Sequence, residues 1–332
     1  MLQTAAHAKV NLALAITGRR PDGYHDLRSV FLRLELADTL TVSDAVGSAD
    51  ADGLVVDGDP DCPVADNLVL RAVDAFRAAA AEHAVHIPPV AIGLGKRIPM
   101  AAGLAGGSTD AAAMLRLLAA RHPGVLDRAE IGSLAARVGA DVSFFVDGAG
   151  AALVRGVGQL IEPLSPPVDP VGVLLCAPPI GASTPSVFRA WDQLHAPRPD
   201  GPQLTDAAMA VELAGVATRA VDALAHLLRS GASAAALEAA AAELRAANDL
   251  WQPAASLTPG LGALREHLEE RLERPVLLTG SGSTLFALYA SPDAAHAVAG
   301  RLRSDPAVAG IDVIATRSTG PHPAPITSRR DP

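Results

Sequence analysis

The sequence predicts an α+β protein of two domains, because strand and helix patterns are mixed along a chain of 332 residues. Domains usually hold about 100–200 residues, so this length fits two of them. Hydrophobic residues make up 49% and charged residues 19%, which is enough apolar material for a packed core and too little charge for a disordered chain. We place the domains at residues 1–162 and 163–318 and expect residues 319–332 to form a disordered tail.

The first half alternates between strand and helix signals. Residues 9–16 carry apolar side chains at every second position, the period of a strand, which leaves Lys9 and Asn11 together on its other face. A second alternating run follows, and the acidic, glycine-rich stretch 44–61 indicates a hairpin tip or flexible loop. The pair Asp66-Asn67 offers an N-cap to an amphipathic helix. A later strand ends in a glycine-rich loop that leads directly into another helix.

The second half begins with an apolar run at 171–179, which predicts a buried strand. Three alanine-rich stretches then predict helices. A strand, a glycine turn and another strand follow, and an apolar run predicts a closing strand. The helices are expected at roughly 205–229, 232–247 and 260–272, and the later strands at 276–290 and 311–317.

Charge and cysteine content narrow the class of protein. The formal net charge is −9, which makes nucleic acid a poor default partner because phosphate neutralisation needs an excess of Lys and Arg. Only Cys62 and Cys176 are present, so there is no disulfide framework and no CxxC metal pair. No apolar run reaches the roughly 18 residues of a membrane span. A signal peptide carries its positive charge before the apolar run, whereas here Lys9 lies within the run and the arginines follow it. We expect a soluble, cytoplasmic protein, and both a monomer and a homodimer fit.

The strongest functional signal is the glycine-rich segment 99–109. Its glycines permit a tight loop whose backbone N–H groups point at one spot, and the following helix adds its own unpaired N–H groups. Together these features are typical of a phosphate cradle. The segment is neither a Walker A loop nor a GxGxxG turn, and taken alone it also fits a helix start that Ser, Thr or Asp merely caps.

Lysine provides a second signal, because Lys9 and Lys96 are the only lysines among 27 basic residues. A lysine in the middle of a strand, beside Asn11, is better explained by a phosphate or carboxylate partner than by an edge-strand charge. Lys96 follows a strand, where an ordinary surface lysine explains it equally well.

Three further segments are ambiguous by themselves. Asp141 lies beside an apolar run and fits either a helix cap, the simpler interpretation, or a functional acid or base. The turn 280–284 (GSGST) fits a flexible hairpin or a second backbone clamp on phosphate or substrate. Tyr24 stands in a polar turn of a chain with only 3% aromatic residues, so it either stacks on a flat ring or packs on the core.

Four of these segments, in this order, resemble the GHMP kinases. They are the Lys9 strand, the P-x-x-x-G-L-x-G-G-S-[ST]-D-A loop from Pro99, the G-A-D segment ending at Asp141, and the G-S-G-S-T turn. The A-K-V-N-L-x-L strand followed by G-x-R-x-D-G-Y-H is similar to the diphosphocytidyl-methylerythritol kinase branch of that family. The likeness spans roughly residues 5–290, and the combination is specific although no single piece is.

The resemblance implies a two-domain GHMP kinase fold with the active-site cleft between the domains. It implies ATP and Mg²⁺, and phosphorylation of the tertiary 2-hydroxyl of a cytidine-diphosphate-linked methylerythritol. Asp141 would be the base on that hydroxyl, and Lys9 would hold Asp141 ionised and polarise the acceptor oxygen. Ser108 is a candidate metal ligand, although the sequence leaves the ligands of the metal open.

The remaining roles also come from the resemblance. Asn11 would contact the substrate, Tyr24 and Phe188 would sandwich the cytosine, and His25 would bind its edge. The residues expected around ATP are Asn67, Lys96, Pro99, Gly103, Leu104, Ala105, Gly106, Gly107, Ser108 and Thr109. Those expected around the acceptor also include Thr184, Pro185, Gly280 and Ser281.

The chain departs from the usual family loop, G-L-G-G-G-S-S, at two positions. Ala105 and Thr109 replace a glycine and a serine, and Ala105 adds a methyl group where the backbone is expected to need positive φ. No catalytic group is lost, so we expect an active enzyme. The alternatives are another GHMP kinase, such as a homoserine or mevalonate-type enzyme, and a non-catalytic nucleotide or sugar sensor with the same fold.

Overall fold

The chain folds around two β-sheets. The computed structural model describes residues 1–45, 51–196, 215–320 and 326–328. In the larger sheet the strand order is β11-β1-β2-β4-β3, and β5 pairs with both β2 and β6. Every pairing in it is antiparallel except β3 with β4. Its strands are β1 (Leu2–Arg19), β2 (His25–Asp44), β3 (Gly53–Asp57), β4 (Val90–Gly95), β5 (Ala151–Gly156), β6 (Leu160–Leu164) and β11 (Thr327–Ser328).

The smaller sheet lies in the second half of the chain and is antiparallel, with the order β10-β7-β9-β8. The central strand β7 is buried along its whole length, as its unbroken apolar run predicts. The strands are β7 (Gly172–Ala177), β8 (Leu277–Leu278), β9 (Leu285–Tyr289) and β10 (Asp312–Arg317).

Helices cover both sheets, and several begin at side-chain caps that the sequence supplies. The Asn67 side chain accepts a hydrogen bond from the backbone of Val69, and Asp127 and Glu130 form a reciprocal capping box. Among the described residues, no helix combines the length and apolarity needed to cross a membrane. The helices are α1 (Leu68–Glu82), α2 (Gly106–Arg121), α3 (Arg128–Val138), α4 (Val142–Asp147), α5 (Thr184–His195), α6 (Val216–Arg229), α7 (Ala234–Leu244), α8 (Trp251–Leu257), α9 (Leu261–Leu272) and α10 (Pro292–Leu302).

One hydrophobic cluster joins the two halves of the chain. It contains Val10 of β1, Leu175 of β7 and Phe286 of β9, together with the buried faces of α6 and α7. A second cluster lies under α1 and α2 in the first half, and a third lies between the smaller sheet and α5 and α10. The shared cluster fixes β1, which carries Lys9, against the second half of the chain.

The predicted helices at 232–247 and 260–272 are confirmed by α7 and α9. In the predicted stretch 205–229, the structure shows a helix from Val216 onward, while residues 197–214 lie outside the described part.

The stretch 44–61 differs from the hairpin or flexible loop that its composition predicts. Gly53–Asp57 form β3, which pairs in parallel with β4, a neighbour that is distant in sequence. A local pattern of glycine and aspartate carries no information about such a partner. Residues 46–50 lie outside the described part of the chain.

The tail also differs from expectation at one point. Thr327 and Ser328 pair with Gln3 and Leu2, so these two residues are ordered as β11 and the prediction of disorder is wrong for them. The free edge of β1 offers unpaired N–H and C=O groups to which an extended segment can bind. Residues 321–325 and 329–332 of the expected tail lie outside the described residues.

The shared cluster gives a stability prediction at Leu228 on α6, which is fully buried. Leu228→Ala should lower the free energy of unfolding by about 2–5 kcal/mol, because it removes buried apolar contacts and leaves a cavity. Urea denaturation followed by circular dichroism measures the change. Val216→Ala on the same helix is the control, since Val216 is 51% exposed. Equal stability of the two variants would show that this interface contributes little.

Candidate active site

The side chain of Lys9 lies where the two halves of the chain meet. It is 4% exposed, and its Nζ donates to Asn11 Oδ1 at 2.6 Å and to the Gly103 carbonyl at 2.9 Å. The carboxylate of Asp141 lies 3.7 Å from the same nitrogen. Burial lowers the pKa of Lys9, and the nearby Asp141 carboxylate partly opposes that shift. Lys9 is therefore a buried, partnered ammonium group and not an edge-strand surface charge.

Asp141 occupies the N-cap position of α4, but its side chain makes no capping hydrogen bond. The capping interpretation is therefore wrong for this carboxylate. Its side chain is 27% exposed, whereas that of Lys9 is 4% exposed. The carboxylate is thus accessible from the cleft while the ammonium group behind it is not. This arrangement suits an acid or base that must reach a bound small molecule.

The glycine loop approaches the second half of the chain at Gly103. The backbone of Gly103 has φ +74°, and a Cβ placed on it would lie 2.4 Å from the Thr279 carbonyl oxygen. The Gly103 carbonyl accepts from Lys9 and lies 3.2 Å from the hydroxyl of Thr279. Only glycine permits this close approach of two backbones, so the loop and the turn after β8 are locked together around Lys9.

The start of α2 has the features of an anion site. Gly106, Gly107 and Ser108 are its first three residues, whose N–H groups have no acceptor within the helix. Thr109 differs from them, because its N–H donates to the Ala105 carbonyl at 3.0 Å. Of the predicted phosphate-binding residues, these first three best fit a phosphate, and Gly107 is exposed.

Other predicted loop residues have structural roles. Thr109 is buried and lines a small, partly open pocket with His7 and Arg33. Leu104 is also buried, and its carbonyl accepts from the backbone N–H of Lys9 at 3.2 Å. Pro99 lies partly exposed at the start of the loop.

Ala105 adopts the left-handed conformation that its replacement of a glycine suggests, with φ 59° and ψ 33°. An L-residue in this region costs roughly 1–2 kcal/mol relative to ordinary backbone. The helix α2 still begins at Gly106, directly after Ala105, so the methyl group is accommodated at this cost.

Lys96 is buried, so the interpretation as an ordinary surface lysine is wrong. Its ammonium group contacts the Asp38 carboxylate and lies 2.9 Å from Asp110 Oδ2. Burial, reinforced by Asp38, raises the pKa of Asp110 to about 7 against the opposing effect of Lys96. Burial by itself would lower the pKa of Lys96, but the Asp110 and Asp38 carboxylates outweigh it and the pKa is raised. Asp38 and Asp110 were not predicted as site residues, because neither is close to Lys96 in sequence.

Asn67 lies beside this cluster and is buried. Its Oδ1 accepts from the backbone of Val69 and its Nδ2 donates to the Pro63 carbonyl, both at 3.0 Å. The amide is therefore largely engaged in shaping the start of α1, and its predicted contact with the nucleoside of ATP stays a prediction.

The turn after β8 brings the second half of the chain to Lys9. An added Cβ on Gly280 would lie 3.6 Å from Lys9 Nζ and 3.3 Å from Asn11 Oδ1. Ser281 shares a hydrogen bond of 2.9 Å with Thr184, the first residue of α5. Pro185 follows Thr184 in the first turn of α5, where proline is tolerated.

Thr279 is the functional residue that the sequence analysis missed most clearly. Its buried hydroxyl accepts from the Asn11 backbone N–H at 3.0 Å and lies within hydrogen-bonding distance of Asn11 Oδ1 and the Gly103 carbonyl. The sequence signal that could have indicated Thr279 is its position as a hydroxyl residue directly before the glycine turn 280–284. Asn248 supports the same turn by donating to the carbonyls of Leu278 and Gly280.

The aromatic residues form a separate cluster. His25 stacks on Phe188 with ring centroids 4.9 Å apart, and its Nε2 lies 2.6 Å from Asp192 Oδ1. Tyr24 is 65% exposed and has no ring contact within the described residues. The structure thus places His25 directly against Phe188. The sandwich of cytosine between Tyr24 and Phe188, with His25 at the edge of the base, stays a prediction.

Two family models match the chain, one in each half. The chain matches the GHMP kinases N terminal domain at residues 67–149 and the GHMP kinases C terminal domain at residues 221–307. These ranges fall one in each predicted domain, although they do not test the boundary at 162. The fold and the site define a small-molecule kinase of the GHMP class.

Relatives narrow the class to one family. A 4-diphosphocytidyl-2-C-methyl-D-erythritol kinase from Heliobacterium modesticaldum is 38% identical over 301 residues, covering 90% of this chain and 89% of that protein. The crystal structure of a 4-(cytidine 5'-diphospho)-2C-methyl-D-erythritol kinase is 34% identical, covers 96% of this chain and 100% of that one, and has a TM-score of 0.66. This chain belongs to the 4-diphosphocytidyl-2-C-methyl-D-erythritol kinase family.

A homoserine kinase from Cytophaga hutchinsonii has a TM-score of 0.69 but only 15% identity, covering 98% of this chain and 97% of that one. At that identity the likeness shows the fold alone. The fold is therefore shared with kinases whose names give other acceptors.

The contact at Gly103 gives a sharp prediction. Gly103→Ala should lower kcat/KM about 100-fold, because the new methyl group clashes with the Thr279 carbonyl and shifts the loop by a distance on the order of 1 Å. Steady-state kinetics measures the loss. Gly132→Ala in α3 is the matched control, since its Cβ would meet no atom within 4 Å. Normal activity in Gly103→Ala would show that the two backbones need not approach this closely.

Proposed function

We propose that this protein transfers the γ-phosphoryl group of ATP to the 2-hydroxyl of 4-diphosphocytidyl-2-C-methyl-D-erythritol. The products are the 2-phosphate and ADP, in the non-mevalonate route to isopentenyl diphosphate. The observation that carries the proposal is the Lys9 and Asp141 pair, held against the glycine loop in the cleft between the domains. Family membership supplies the acceptor, because the relatives share identity along about 90% of the chain.

The geometry suits an in-line transfer in which the protein aligns the two reactants and neutralises charge on the transferred phosphate. The acceptor hydroxyl oxygen forms a bond to the γ-phosphorus as the bond from that phosphorus to the oxygen of ADP breaks. Asp141 receives the hydroxyl proton, and the ammonium group of Lys9 stabilises negative charge on the acceptor oxygen. The unpaired N–H groups at the start of α2 hold the phosphates of ATP.

We further propose that the reaction uses Mg²⁺. Within the described residues, no group of three or more His, Cys, Asp or Glu side chains is placed to hold a metal ion. Mg²⁺ prefers oxygen ligands and keeps several waters, so ATP phosphates would supply most of its coordination. The partly buried hydroxyl of Ser108, at the start of α2, is the candidate protein ligand. When bound, the ion would neutralise charge on the transferred phosphate.

The acceptor is proposed to lie across the cleft between Asp141 and the aromatic cluster. Asn11, Gly280 and Ser281 surround the reacting end, and Thr184 and Pro185 begin the helix that carries Phe188. Tyr24, Phe188 and His25 are proposed to bind the cytosine. Tyr24 is exposed in this structure and would close on the base when the base is bound.

The proposed nucleotide contacts are those of the glycine loop, with Lys96 and Asn67 on the nucleoside side. We place the enzyme in the cytoplasm, where its two unpaired thiols would remain reduced. A monomer and a homodimer both fit.

The direct test of the function is ADP release with Mg²⁺ and ATP, in the presence and absence of 4-diphosphocytidyl-2-C-methyl-D-erythritol. We expect release to depend on this acceptor, and CTP and CDP to compete with it, because the cytosine is bound by aromatic residues. Homoserine and mevalonate are the control acceptors. If the protein binds ATP but this acceptor does not stimulate ADP release, another GHMP acceptor or a sensor role replaces the proposal.

The catalytic roles are tested at Asp141. Asp141→Asn should lower kcat about 100- to 10,000-fold while ATP binding is retained, because the amide cannot take the hydroxyl proton. Turnover and calorimetric ATP binding measure the two effects. Asp147→Asn is the control, because Asp147 lies at the other end of α4 and its carboxylate is 3.6 Å from the guanidinium group of Arg128. This variant should keep full activity. An unchanged rate in Asp141→Asn would contradict the role as base.

A further inference from the structure

The two ends of the glycine loop are tied together by the buried cluster Asp38, Lys96 and Asp110. All three residues are buried, with side-chain exposures of 0%, 4% and 3%. Asp38 comes from β2, Lys96 directly follows β4, and Asp110 is the fifth residue of α2. Three elements that surround the loop therefore meet at one ammonium group.

Asp38 fixes the start of the loop. One of its carboxylate oxygens contacts Lys96, and the other accepts from the backbone N–H groups of Arg97 and Ile98, at 2.5 and 2.8 Å. Hydrogen bonds from backbone N–H groups to an ionised carboxylate are among the stronger ones in proteins. The residues that lead into the loop are thus held against β2.

Lys96 connects this start to the end of the loop. Its ammonium group lies 2.9 Å from Asp110 Oδ2 and would lie 3.3 Å from a Cβ on Gly106. Gly106 is the first residue of α2 and one of the proposed phosphate-binding positions. With two carboxylates bound, at most one of the three N–H donors of Lys96 is left for a ligand.

The cluster is a costly way to provide stability alone. It buries two carboxylates on one ammonium group, and Asp110 Oδ1 has no hydrogen-bond partner among the described residues. Well-packed apolar side chains often stabilise a protein as much as a buried ion cluster does. The desolvation of these buried charges is better explained by a need to hold the loop in one geometry. Directional contacts specify position more narrowly than apolar packing does.

We propose that Asp38 and Asp110 are positioning residues that act through Lys96 to set the span of the phosphate-binding loop before ATP binds. This inference rests on the proposed function, because it takes the loop as the ATP site. The cluster keeps the N–H groups at the start of α2 aimed at the phosphates. Lys96 itself acts mainly as the bridge between the two carboxylates.

The variants Asp38→Asn and Asp110→Asn test this role. Each keeps the shape of the side chain but replaces a carboxylate that binds Lys96 by a neutral amide. The measurements are made above pH 7, where the Asp110 carboxyl, whose pKa is raised to about 7, is ionised. We expect the Kd for a non-hydrolysable ATP analogue and the KM for ATP to rise about 10- to 100-fold, because the loop loses its fixed span. The KM for the acceptor should change less than about twofold, since the acceptor side of the cleft is held by Lys9 and Thr279.

Asp52→Asn is the matched control. Asp52 accepts two hydrogen bonds from Arg77 and one from the backbone of Val90, at the end of β4 opposite to Lys96. Removing its charge disturbs a partly buried ion pair of the same domain but leaves the loop intact. The Kd for the analogue should stay unchanged in Asp52→Asn. The proposal is overturned if ATP binding is normal in both test variants, or if it weakens equally in the control.

A measurement on the unmodified protein covers the case in which the variants do not fold. Hydrogen exchange of the Arg97 and Ile98 amides should be slow without nucleotide and change little when the ATP analogue binds. If these two amides exchange as fast as those of an unstructured loop until the analogue is added, the loop is not held in its span before ATP binds, and the proposal is contradicted. If the wild-type protein binds the ATP analogue but does not phosphorylate the acceptor, the proposed function is wrong. The test of the positioning residues still holds in that case, because it measures only ATP binding.

Discussion

The buried ammonium group of Lys9 is the interaction on which the rest of the site depends. An isolated buried charge is too costly to persist, so partners must converge on it. They come from three segments, namely β1 itself at Asn11, the glycine loop at Gly103, and the start of α4 at Asp141. The hydroxyl of Thr279, in the second half of the chain, lies within hydrogen-bonding distance of two of these acceptors, Asn11 Oδ1 and the Gly103 carbonyl. The acceptors that satisfy the Lys9 charge are therefore shared with Thr279, which links this centre to the second half of the chain.

Glycine makes this convergence sterically feasible. Gly103 approaches the backbone of Thr279 so closely that a single methyl group would overlap it. Gly280 is less constrained, because an added methyl group there would lie 3.3 Å from Asn11 Oδ1 and 3.6 Å from Lys9 Nζ, which is tight contact but not overlap. Ala105 shows the limit of this requirement, because it takes a left-handed conformation although it is not glycine. The loop thus tolerates alanine at two positions of positive φ, Ala101 and Ala105, but needs glycine at Gly103, where two backbones meet.

Some of the site could be predicted because its information is local. The period of two in β1 placed Lys9 and Asn11 on one face, and the glycines before α2 indicated a phosphate cradle. The partners of Lys96 could not be predicted, because Asp38 is on another strand and the contact forms only when β2, β4 and α2 have packed. The parallel pairing of β3 and the docking of β11 on the edge of β1 were missed for the same reason. The acceptor came from family resemblance, since the fold alone is shared with a homoserine kinase.

A double-mutant cycle of Lys9→Met and Asp141→Asn on kcat tests the central claim most directly. If the two groups act as one unit on the acceptor oxygen, the double variant should be no slower than the worse single variant, to within about threefold. The measurement is made at saturating ATP and acceptor, with folding checked by circular dichroism. Losses that multiply in the double variant would show that Lys9 and Asp141 act independently, and would contradict the account of a single catalytic centre.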